Sequence, residues 1–241
     1  MLSSGKWRRD EFDRFTGYRR LSLKELHFCS PSFSHFGEDR MVFSVLDEMT
    51  DGFFVDVGAF HPYKLSNTHL LRMHGWTGVN IEPNPKNFPL FEEECPNDIN
   101  LNMAISAKHG SVDFMCNGVL SGIVDESYLN NDSSPDGVEI PQVVTVATQP
   151  LSVVLENHLP KGREIDLLSV DCEGHDLAVL KSNDWNRFKP RVVVVEIHEQ
   201  DTASSPVFLE LVKHNYQYYC RVGLSVLFVD HDLATRLIPS T

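Results

Sequence analysis

Short runs of β-branched and aromatic residues alternate along the chain with longer stretches whose apolar residues recur at helical spacing. The runs that predict strands cover 53–57, 78–81, 99–105, 143–148, 165–170, 191–197, 217–222 and 225–229. The stretches that predict helices cover 65–73, 85–94, 150–158, 175–181 and 206–215. Strands that alternate with helices of this length pair in parallel through right-handed crossovers. The pattern therefore predicts an α/β fold.

Two of the strand runs refine this prediction. Residues 191–197 are apolar on both faces until the end of the run, which is typical of a central strand covered by helices on both sides. The last two runs are separated only by Gly223 and Leu224, too few residues for a crossover. We therefore expect a doubly wound, mostly parallel sheet that ends in an antiparallel hairpin.

Two segments lie outside this alternation. Residues 117–141 are rich in Gly, Asn, Asp, Ser and Pro, and a patternless segment of this length is usually a lid or a binding loop. Residues 1–32 precede the first predicted element, and their basic residues outnumber the acidic ones near the start of the chain. These basic residues are Lys6, Arg8, Arg9, Arg14, Arg19 and Arg20. We expect a basic N-terminal extension followed by one domain over 33–241, with 117–141 as a lid or acceptor loop.

Composition narrows the class of protein. The formal net charge is −13, so the chain is poorly suited to bind the phosphate backbone of a nucleic acid. No apolar run approaches the roughly 20 residues that span a bilayer, and no secretory signal is visible. The five cysteines are an odd number without a Cys-x-x-Cys pair, which argues against a disulfide framework and a zinc finger. These features favour a soluble protein of the cytoplasm.

The residues that carry chemistry are expected at the strand ends, because ligands of open α/β sheets bind beyond the carboxyl ends of the strands. Asp56 lies late in the first strand, and Gly58 and Ala59 follow where a ligand can approach the backbone closely. The turn lacks the Gly-x-Gly-x-x-Gly pattern, which argues against a nicotinamide dehydrogenase. Glu82 ends the second strand, 26 positions after Asp56, where an acid that accepts hydrogen bonds from ribose belongs. We expect no Lys or Arg side chain beside the two acids, which would then suit a cationic ligand.

Two later strand ends carry a second acidic group. Asp171 and Glu173 follow the strand at 165–170, and Glu196 and His198 lie on the same side of the strand at 191–197. This chemistry fits a general base, a clamp on substrate hydroxyls, or a divalent metal held by Asp171, Glu173, Glu196 and His198. His61, His175 and His198 all lie at predicted strand ends, and imidazole is the usual base for a hydroxyl.

These motifs together resemble the FkbM family of S-adenosylmethionine-dependent methyltransferases from about residue 33 to residue 229. The opening segment Ser34-His35-Phe36-Gly37-Glu38-Asp39 is similar to the family's Ser-Gln-x-Gly-Glu-Asp, with His35 in place of the glutamine. Five further segments follow in the family's order: Val55-Asp56-Val57-Gly58-Ala59, Ser66-Asn67-Thr68, the stretch from Gly75-Trp76 to Asn84, Asp171-Cys172-Glu173-Gly174-His175, and Ser182-Asn183-Asp184-Trp185.

The resemblance implies a class I methyltransferase fold, with seven strands of which the last is antiparallel, and S-adenosylmethionine as cofactor. It implies that Asp56, Gly58, Ala59 and the turn through His61 and Pro62 hold the methionine part, and that Glu82 holds the ribose. Met103 and Ala104 would border the adenine. Ser66, Asn67 and Thr68, at a helix start, would offer backbone donors to the methionine carboxylate.

The resemblance also implies an activity. Asp171, Glu173 and His175 would line the methyl-transfer site, with Asp171 also touching the cofactor, and His175 or His198 is the expected base. The acceptor would be a hydroxyl of a sugar, a glycolipid or a polyketide-like small molecule. The alternative is a non-catalytic module of the same fold that binds the cofactor or a glycan.

Overall fold

A computed structural model of the chain describes residues 27–118, 121–124 and 142–237. The basic residues of the N-terminal extension and most of the expected lid or acceptor loop lie outside these residues. All helices and strands described below belong to one compact unit that begins at Ser32.

The described residues contain eleven strands and seven α-helices. The strands are β1 (Phe53–Val57), β2 (Thr77–Ile81), β3 (Ile99–Leu101), β4 (Ala104–Ile105), β5 (Gly110–Cys116), β6 (Gly122–Ile123), β7 (Gln142–Gln149), β8 (Leu167–Val170), β9 (Val192–Glu196), β10 (Gln217–Val222) and β11 (Ser225–Val229). The helices are α1 (Glu38–Val45), α2 (His69–Met73), α3 (Phe88–Glu94), α4 (Leu151–His158), α5 (Asp176–Lys181), α6 (Pro206–Lys213) and α7 (His231–Leu237).

Seven of these strands form the main sheet, in the order β10-β11-β9-β8-β1-β2-β3. The pairs from β9 to β3 are parallel, whereas β11 runs antiparallel to both β9 and β10. This confirms the predicted doubly wound sheet with its antiparallel hairpin. The two halves of the parallel sheet meet at β1. Strand β11 lies between β9 and β10 and runs in the opposite direction to both. This arrangement is the class I methyltransferase architecture.

Helices cover both faces of the main sheet. Alternate residues of each central strand enter opposite cores, as the period of two requires. Val55, Val79 and Val193 pack with helices α4, α5 and α6, whereas Phe54 and Val194 pack with helices α1, α2 and α7. All five residues of β1 are buried, so Asp56 lies near the end of a strand that is shielded from solvent.

A second sheet differs from the sequence prediction. The run 99–105 divides into β3 in the main sheet and β4 in a four-stranded sheet of order β4-β7-β5-β6. Asn102 lies at the break, and its side chain donates to the carbonyls of Glu82 and Pro83 at 2.8 and 3.1 Å. The predicted strand 143–148 is real, but as β7 it pairs with β5 in antiparallel orientation over seven residues. Strands β5 and β6 were not predicted.

The helices differ from the prediction mainly at their ends. The stretch 65–73 becomes helical only from His69, because Leu65 has φ 57°, a left-handed conformation that cannot continue into a helix. Helices α1 and α7 were not predicted. Within 27–118, 121–124 and 142–237, no helix has the length and apolar character needed to cross a bilayer.

Candidate active site

A cleft opens at the carboxyl ends of β1, β2, β8 and β9. Most residues predicted for the site line it. They are Asp56, Gly58, Ala59, Asn67, Glu82, Met103, Ala104, Asp171, Glu173, His175 and His198. The structure thus brings together side chains from four strand ends, which together span more than a hundred residues of sequence.

A row of polar side chains crosses the main sheet beneath the cleft. Asn100, Asn80, Asp56 and Ser169 occupy paired positions on β3, β2, β1 and β8. Asp56 is buried, and the Thr68 hydroxyl donates to its Oδ2 at 3.0 Å. Burial raises the pKa of Asp56, while the nearby positive charge of Arg72 and hydrogen bonds from two hydroxyls oppose that rise. This row therefore places Asp56 at the centre of the sheet among hydrogen-bonding side chains.

Arg72 lies next to this row of polar side chains. The sequence had suggested that no basic residue lies near Asp56 and Glu82. Its guanidinium donates to Thr68 Oγ1 at 3.0 Å and to the Pro62 carbonyl at 2.6 Å. It also lies 3.6 Å from the buried carboxylate of Asp98. A basic residue four positions after Thr68 on a helix was the available signal, since such spacing places both side chains on one face.

Glu82 is fixed from both sides by the backbone. The N–H of Phe60 donates to Oε2 and the N–H of Asn84 donates to Oε1, each at 2.7 Å. The residue is 4% exposed, and this burial raises the pKa of its carboxyl to about 7 despite the two hydrogen bonds. Each carboxylate oxygen keeps acceptor capacity beyond its backbone bond.

Gly58 joins the two groups of acids. Its φ is 79°, and a Cβ at this position would lie 1.9 Å from the carbonyl oxygen of Asp171. Its N–H donates to the carbonyl of Ile81 at 3.0 Å. Only glycine allows β1 to turn so closely beneath the end of β8, and the turn exposes backbone to the cleft.

Three carboxylates meet at the other end of the cleft, on Asp171, Glu173 and Glu196. Desolvation and the charges of Glu196, Asp176 and Glu173 raise the pKa of Asp171 well above its usual range, even though the residue as a whole is exposed. Desolvation and the charge of Glu196 raise the pKa of Glu173 to about 7. The His198 ring lies beside these carboxylates, with its Nε2 3.0 Å from Glu196 Oε2.

The turn that carries Glu173 is held by a buried acid. Asp176 accepts hydrogen bonds from the N–H groups of Cys172 and Gly174 at 3.1 and 3.2 Å. Glu173 has φ 49°, an uncommon conformation for a residue with a side chain. Asp176 therefore stabilises a strained turn that points Glu173 into the cleft.

The segment that resembles the family's opening motif forms one rim of the cleft. The His35 and Phe36 rings stack at 4.0 Å, and the Phe36 ring covers Gly223 in the hairpin between β10 and β11. The buried Glu38 carboxylate accepts from the Phe36 N–H at 2.7 Å and from the Ser225 hydroxyl at 3.0 Å. The hydrogen bond from Ser225 attaches this segment to β11 of the main sheet, and the bond from Phe36 fixes the Glu38 side chain within the segment.

Four residues predicted for cofactor binding are not among those lining the cleft: His61, Pro62, Ser66 and Thr68. His61 Nδ1 accepts from the N–H groups of Tyr63 and Lys64, and the Pro62 carbonyl accepts from Arg72. The Ser66 N–H donates to the Phe33 carbonyl, and the Thr68 N–H donates to Ser66 Oγ. These groups stabilise the turn before α2 rather than offering donors to the cleft.

The second sheet supplies a wall that the sequence did not predict. Phe114 of β5 and Ile123 of β6 line the cleft, together with Ser121 from the described part of the expected loop. The signal for β5 was weak, because its residues are mostly exposed or half-buried. An apolar wall here lies on the same side as Met103 and Ala104.

The alternative of a metal site receives no support from the geometry. Within the described ranges, no three His, Cys, Asp or Glu side chains are arranged to hold a metal ion. The possible ligands named from the sequence lie in one cleft without forming such a group: Asp171, Glu196 and His198, with Glu173 as a fourth.

Comparison with protein-family models identifies the chain. The model described as the methyltransferase FkbM domain matches residues 56–218, which is more than half of the chain. The chain belongs to the FkbM methyltransferase family. Membership implies S-adenosylmethionine as the methyl donor. The matched region begins at Asp56 and includes Glu82, Asp171 and His198, so it contains all four strand ends of the cleft.

Solved structures show more distant similarity. The methyltransferase FkbM from Methylobacillus flagellatus KT is 13% identical with a TM-score of 0.45, over 75% of this chain and 43% of that chain. The chain therefore spans less than half the length of that protein. Precorrin-6y C5,15-methyltransferase from Geobacter metallireducens GS-15 is 15% identical with a TM-score of 0.40, over 79% and 84% of the two chains. A TehB-like methyltransferase from Corynebacterium glutamicum is 11% identical with a TM-score of 0.39, over 86% and 93%. No curated protein matches the chain.

Proposed function

We propose that this FkbM methyltransferase transfers a methyl group from S-adenosylmethionine to a hydroxyl of a small molecule. The observation that carries the proposal is Glu82, a buried carboxylate with both oxygens fixed by backbone N–H groups at the end of β2. It lies in one cleft with Asp56 and Asp171 from the ends of β1 and β8.

The residues present fit the cofactor. Glu82 can accept hydrogen bonds from ribose hydroxyls, because its orientation is set before any ligand arrives. Ile81, Met103 and Phe114 provide apolar surface beside it for a purine. Gly58 leaves its backbone open to a close approach, and Asp56 and Asp171 supply negative charge opposite a cationic ligand. The cofactor supplies an electrophilic methyl group carried on a sulfonium.

The acceptor would enter between β8, β9 and the rim formed by His35 and Phe36. Among the described residues that line the cleft, none is Lys or Arg. An acceptor that carries a phosphate or carboxylate would place its charge against Asp171, Glu173 and Glu196 without compensation. We therefore infer a neutral or cationic hydroxyl compound. A carbohydrate-containing acceptor and a cytoplasmic location stay predictions from the sequence.

We assign the general base to His198. Its side chain is more than half exposed and lines the cleft, and its Nε2 lies 3.0 Å from Glu196 Oε2. Removal of a hydroxyl proton by a histidine base contributes roughly 10²–10⁴-fold to a rate. His175, which also lines the cleft, is the alternative base.

Calorimetric titration with S-adenosylhomocysteine tests the proposal. The wild-type chain should bind, and Glu82→Ala should bind roughly 100-fold more weakly, because it loses two hydrogen bonds from a charged acceptor. Glu93→Ala on α3 is the matched control, since Glu93 is exposed and outside the cleft. Thermal unfolding of each variant shows whether the fold is retained.

The outcomes separate the two candidate functions. Binding that depends on Glu82 supports the methyltransferase and directs the next assay to labelled methyl transfer onto neutral and amine-bearing sugars, with His198→Ala and His175→Ala compared. A wild-type chain that binds no cofactor would overturn the proposal and leave the non-catalytic glycan-binding module.

A further inference from the structure

The side chain of Arg72 is the centre of a buried polar network next to the cleft, and it does not itself line the cleft. The side chain is 11% exposed, and that of its ionic partner Asp98 is 3% exposed. Asp98 also accepts hydrogen bonds from the Gly78 N–H and from Asn80 Nδ2, each at 3.1 Å. The carboxylate of Asp98 is therefore well satisfied, and it fixes the position of the guanidinium.

The guanidinium also reaches toward the proposed cofactor end. Nη1, the nitrogen that lies near Asp98, donates to Thr68 Oγ1 at 3.0 Å, and the Thr68 hydroxyl donates in turn to Asp56 Oδ2 at 3.0 Å. Nη2 donates to the Pro62 carbonyl at 2.6 Å. A chain of contacts thus runs from Asp98 through Arg72 and Thr68 to Asp56, the acid at the end of β1.

We propose that Arg72, acting through Thr68, is a positioning residue for Asp56 and for the turn that borders the cofactor. The planar fork of Arg72 matches this task, because it reaches Thr68, Pro62 and Asp98 at the same time. The inference rests on the proposed binding of S-adenosylmethionine in this cleft.

The charge of Arg72 has a second effect. Burial disfavours the ionised form of Asp56, and the charge of Arg72 is the largest influence that opposes it. Other titratable groups near Asp56 share the region and are left unchanged by the test. They are Asp98, Glu82, Asp171, Cys95 and Cys172. Removal of the guanidinium charge should therefore let Asp56 take up a proton at a higher pH.

Titration with S-adenosylhomocysteine between pH 6 and pH 9 tests the proposal in three variants. Thr68→Val removes only the linking hydroxyl and keeps the ion pair of Arg72 with Asp98. It should raise the Kd roughly 10-fold at pH 8, as expected for a lost hydrogen bond to a charged group. Arg72→Gln should raise the Kd roughly 10- to 100-fold and shift the pH at which binding is half-maximal upward.

Arg72→Lys separates charge from geometry. A lysine ammonium keeps the positive charge but lacks the fork. Its Kd should rise, while the pH at which binding is half-maximal should stay close to that of the wild type. Arg187→Gln is the control, because Arg187 forms an exposed ion pair with Glu156 and does not line the cleft.

Each result decides the matter. Unchanged affinity in both Thr68→Val and Arg72→Gln would overturn the positioning role. Equal pH profiles in Arg72→Lys and Arg72→Gln would reduce Arg72 to a structural residue and also overturn it. If Arg72→Gln does not fold, Thr68→Val with a thermal unfolding curve like that of the wild type decides alone. Absence of binding by the wild-type chain would overturn the proposed function itself and this inference with it.

Discussion

The two ends of the cleft carry glutamates with the same raised pKa but opposite surroundings. Glu82 at the cofactor end accepts two backbone hydrogen bonds, and burial is the main cause that raises its pKa to about 7. Glu173 at the acceptor end reaches a pKa of about 7 through burial together with repulsion from Glu196. Burial and like charges, rather than hydrogen bonds, dominate the raised pKa of Glu173 and of Asp171. Backbone hydrogen bonds fix the carboxylate of Glu82, whereas neighbouring carboxylates repel that of Glu173.

The difference indicates how the cleft divides its work. A site that binds one invariant cofactor benefits from groups that are fixed in advance, since no ordering cost is then added on binding. A cluster of like charges is costly until a positive charge or a donor arrives. We therefore infer that the proposed cofactor end is ordered without a ligand, whereas the proposed acceptor end gains stability when its ligand binds.

Gly58 connects the two ends, and its replacement should produce the largest effect. Gly58→Ala would place Cβ 1.9 Å from the Asp171 carbonyl, in addition to the left-handed strain at φ 79°. Strain of about 1–2 kcal/mol and overpacking of about 1–3 kcal/mol together predict a loss of about 2–5 kcal/mol in the free energy of unfolding. Urea unfolding measures the loss, and calorimetry should show no binding of S-adenosylhomocysteine.

Gly174→Ala is the matched control for this substitution. Gly174 has φ 94°, but nothing lies within 4 Å of the place that a Cβ would occupy. The strain alone should cost about 1–2 kcal/mol and leave cofactor binding intact. Equal losses in both variants would mean that the contact between Gly58 and Asp171 does not couple the two ends.

The pH dependence of cofactor binding should identify which glutamate belongs to which end. Because the ionised form of Glu82 is the better acceptor and its pKa is about 7, affinity for S-adenosylhomocysteine should rise about 10-fold from pH 6 to pH 8. Glu82→Gln should remove most of this rise and leave only the part that follows Asp56, and Glu173→Gln should leave the profile unchanged. A profile that changes in Glu173→Gln but not in Glu82→Gln would show that the cofactor binds at the other end of the cleft.

The strand ends could be predicted from the sequence because each depends on local signals. The run 53–57 ends in Asp56 and a glycine turn, and two residues between the last two runs permit only a hairpin. The main sheet and its cleft followed from these signals and the strand-end rule. Ala104 of β4 was predicted for the cleft, but Phe114 of β5 and Ile123 of β6 could not be, because β5 is mostly exposed or half-buried and carries a weak pattern.

Arg72 shows the other limit of the sequence. The segment 66–68 was predicted to donate backbone N–H groups to a ligand, because it precedes a helix. In the structure, two of those N–H groups are bonded to Phe33 and Ser66, and Arg72 is bonded to the side chain of Thr68. Helical spacing could suggest the contact between Thr68 and Arg72. The spacing could not show that the Thr68 hydroxyl also donates to Asp56 of β1.

The smallest predicted effect concerns the stability of the acceptor end. The folded pKa of Glu173, about 7, lies above its ordinary value of 4.5, so folding disfavours the ionised form. The resulting penalty is absent below pH 4.5, grows as the pH rises, and is complete above pH 7. Because the side chain is partly exposed, we discount the full shift and expect Glu173→Gln to raise the free energy of unfolding by about 1 kcal/mol at pH 8.

Thermal unfolding at two pH values checks this prediction. The gain in Tm should be present at pH 8 and vanish at pH 4.5, where the wild-type carboxyl is protonated in the folded protein. Glu199→Gln serves as the control, because Glu199 is exposed three residues beyond Glu196. A gain of equal size at both pH values would trace the effect to packing. The acceptor end would then carry no charge repulsion for a ligand to relieve, and its contrast with the hydrogen-bonded Glu82 would be lost.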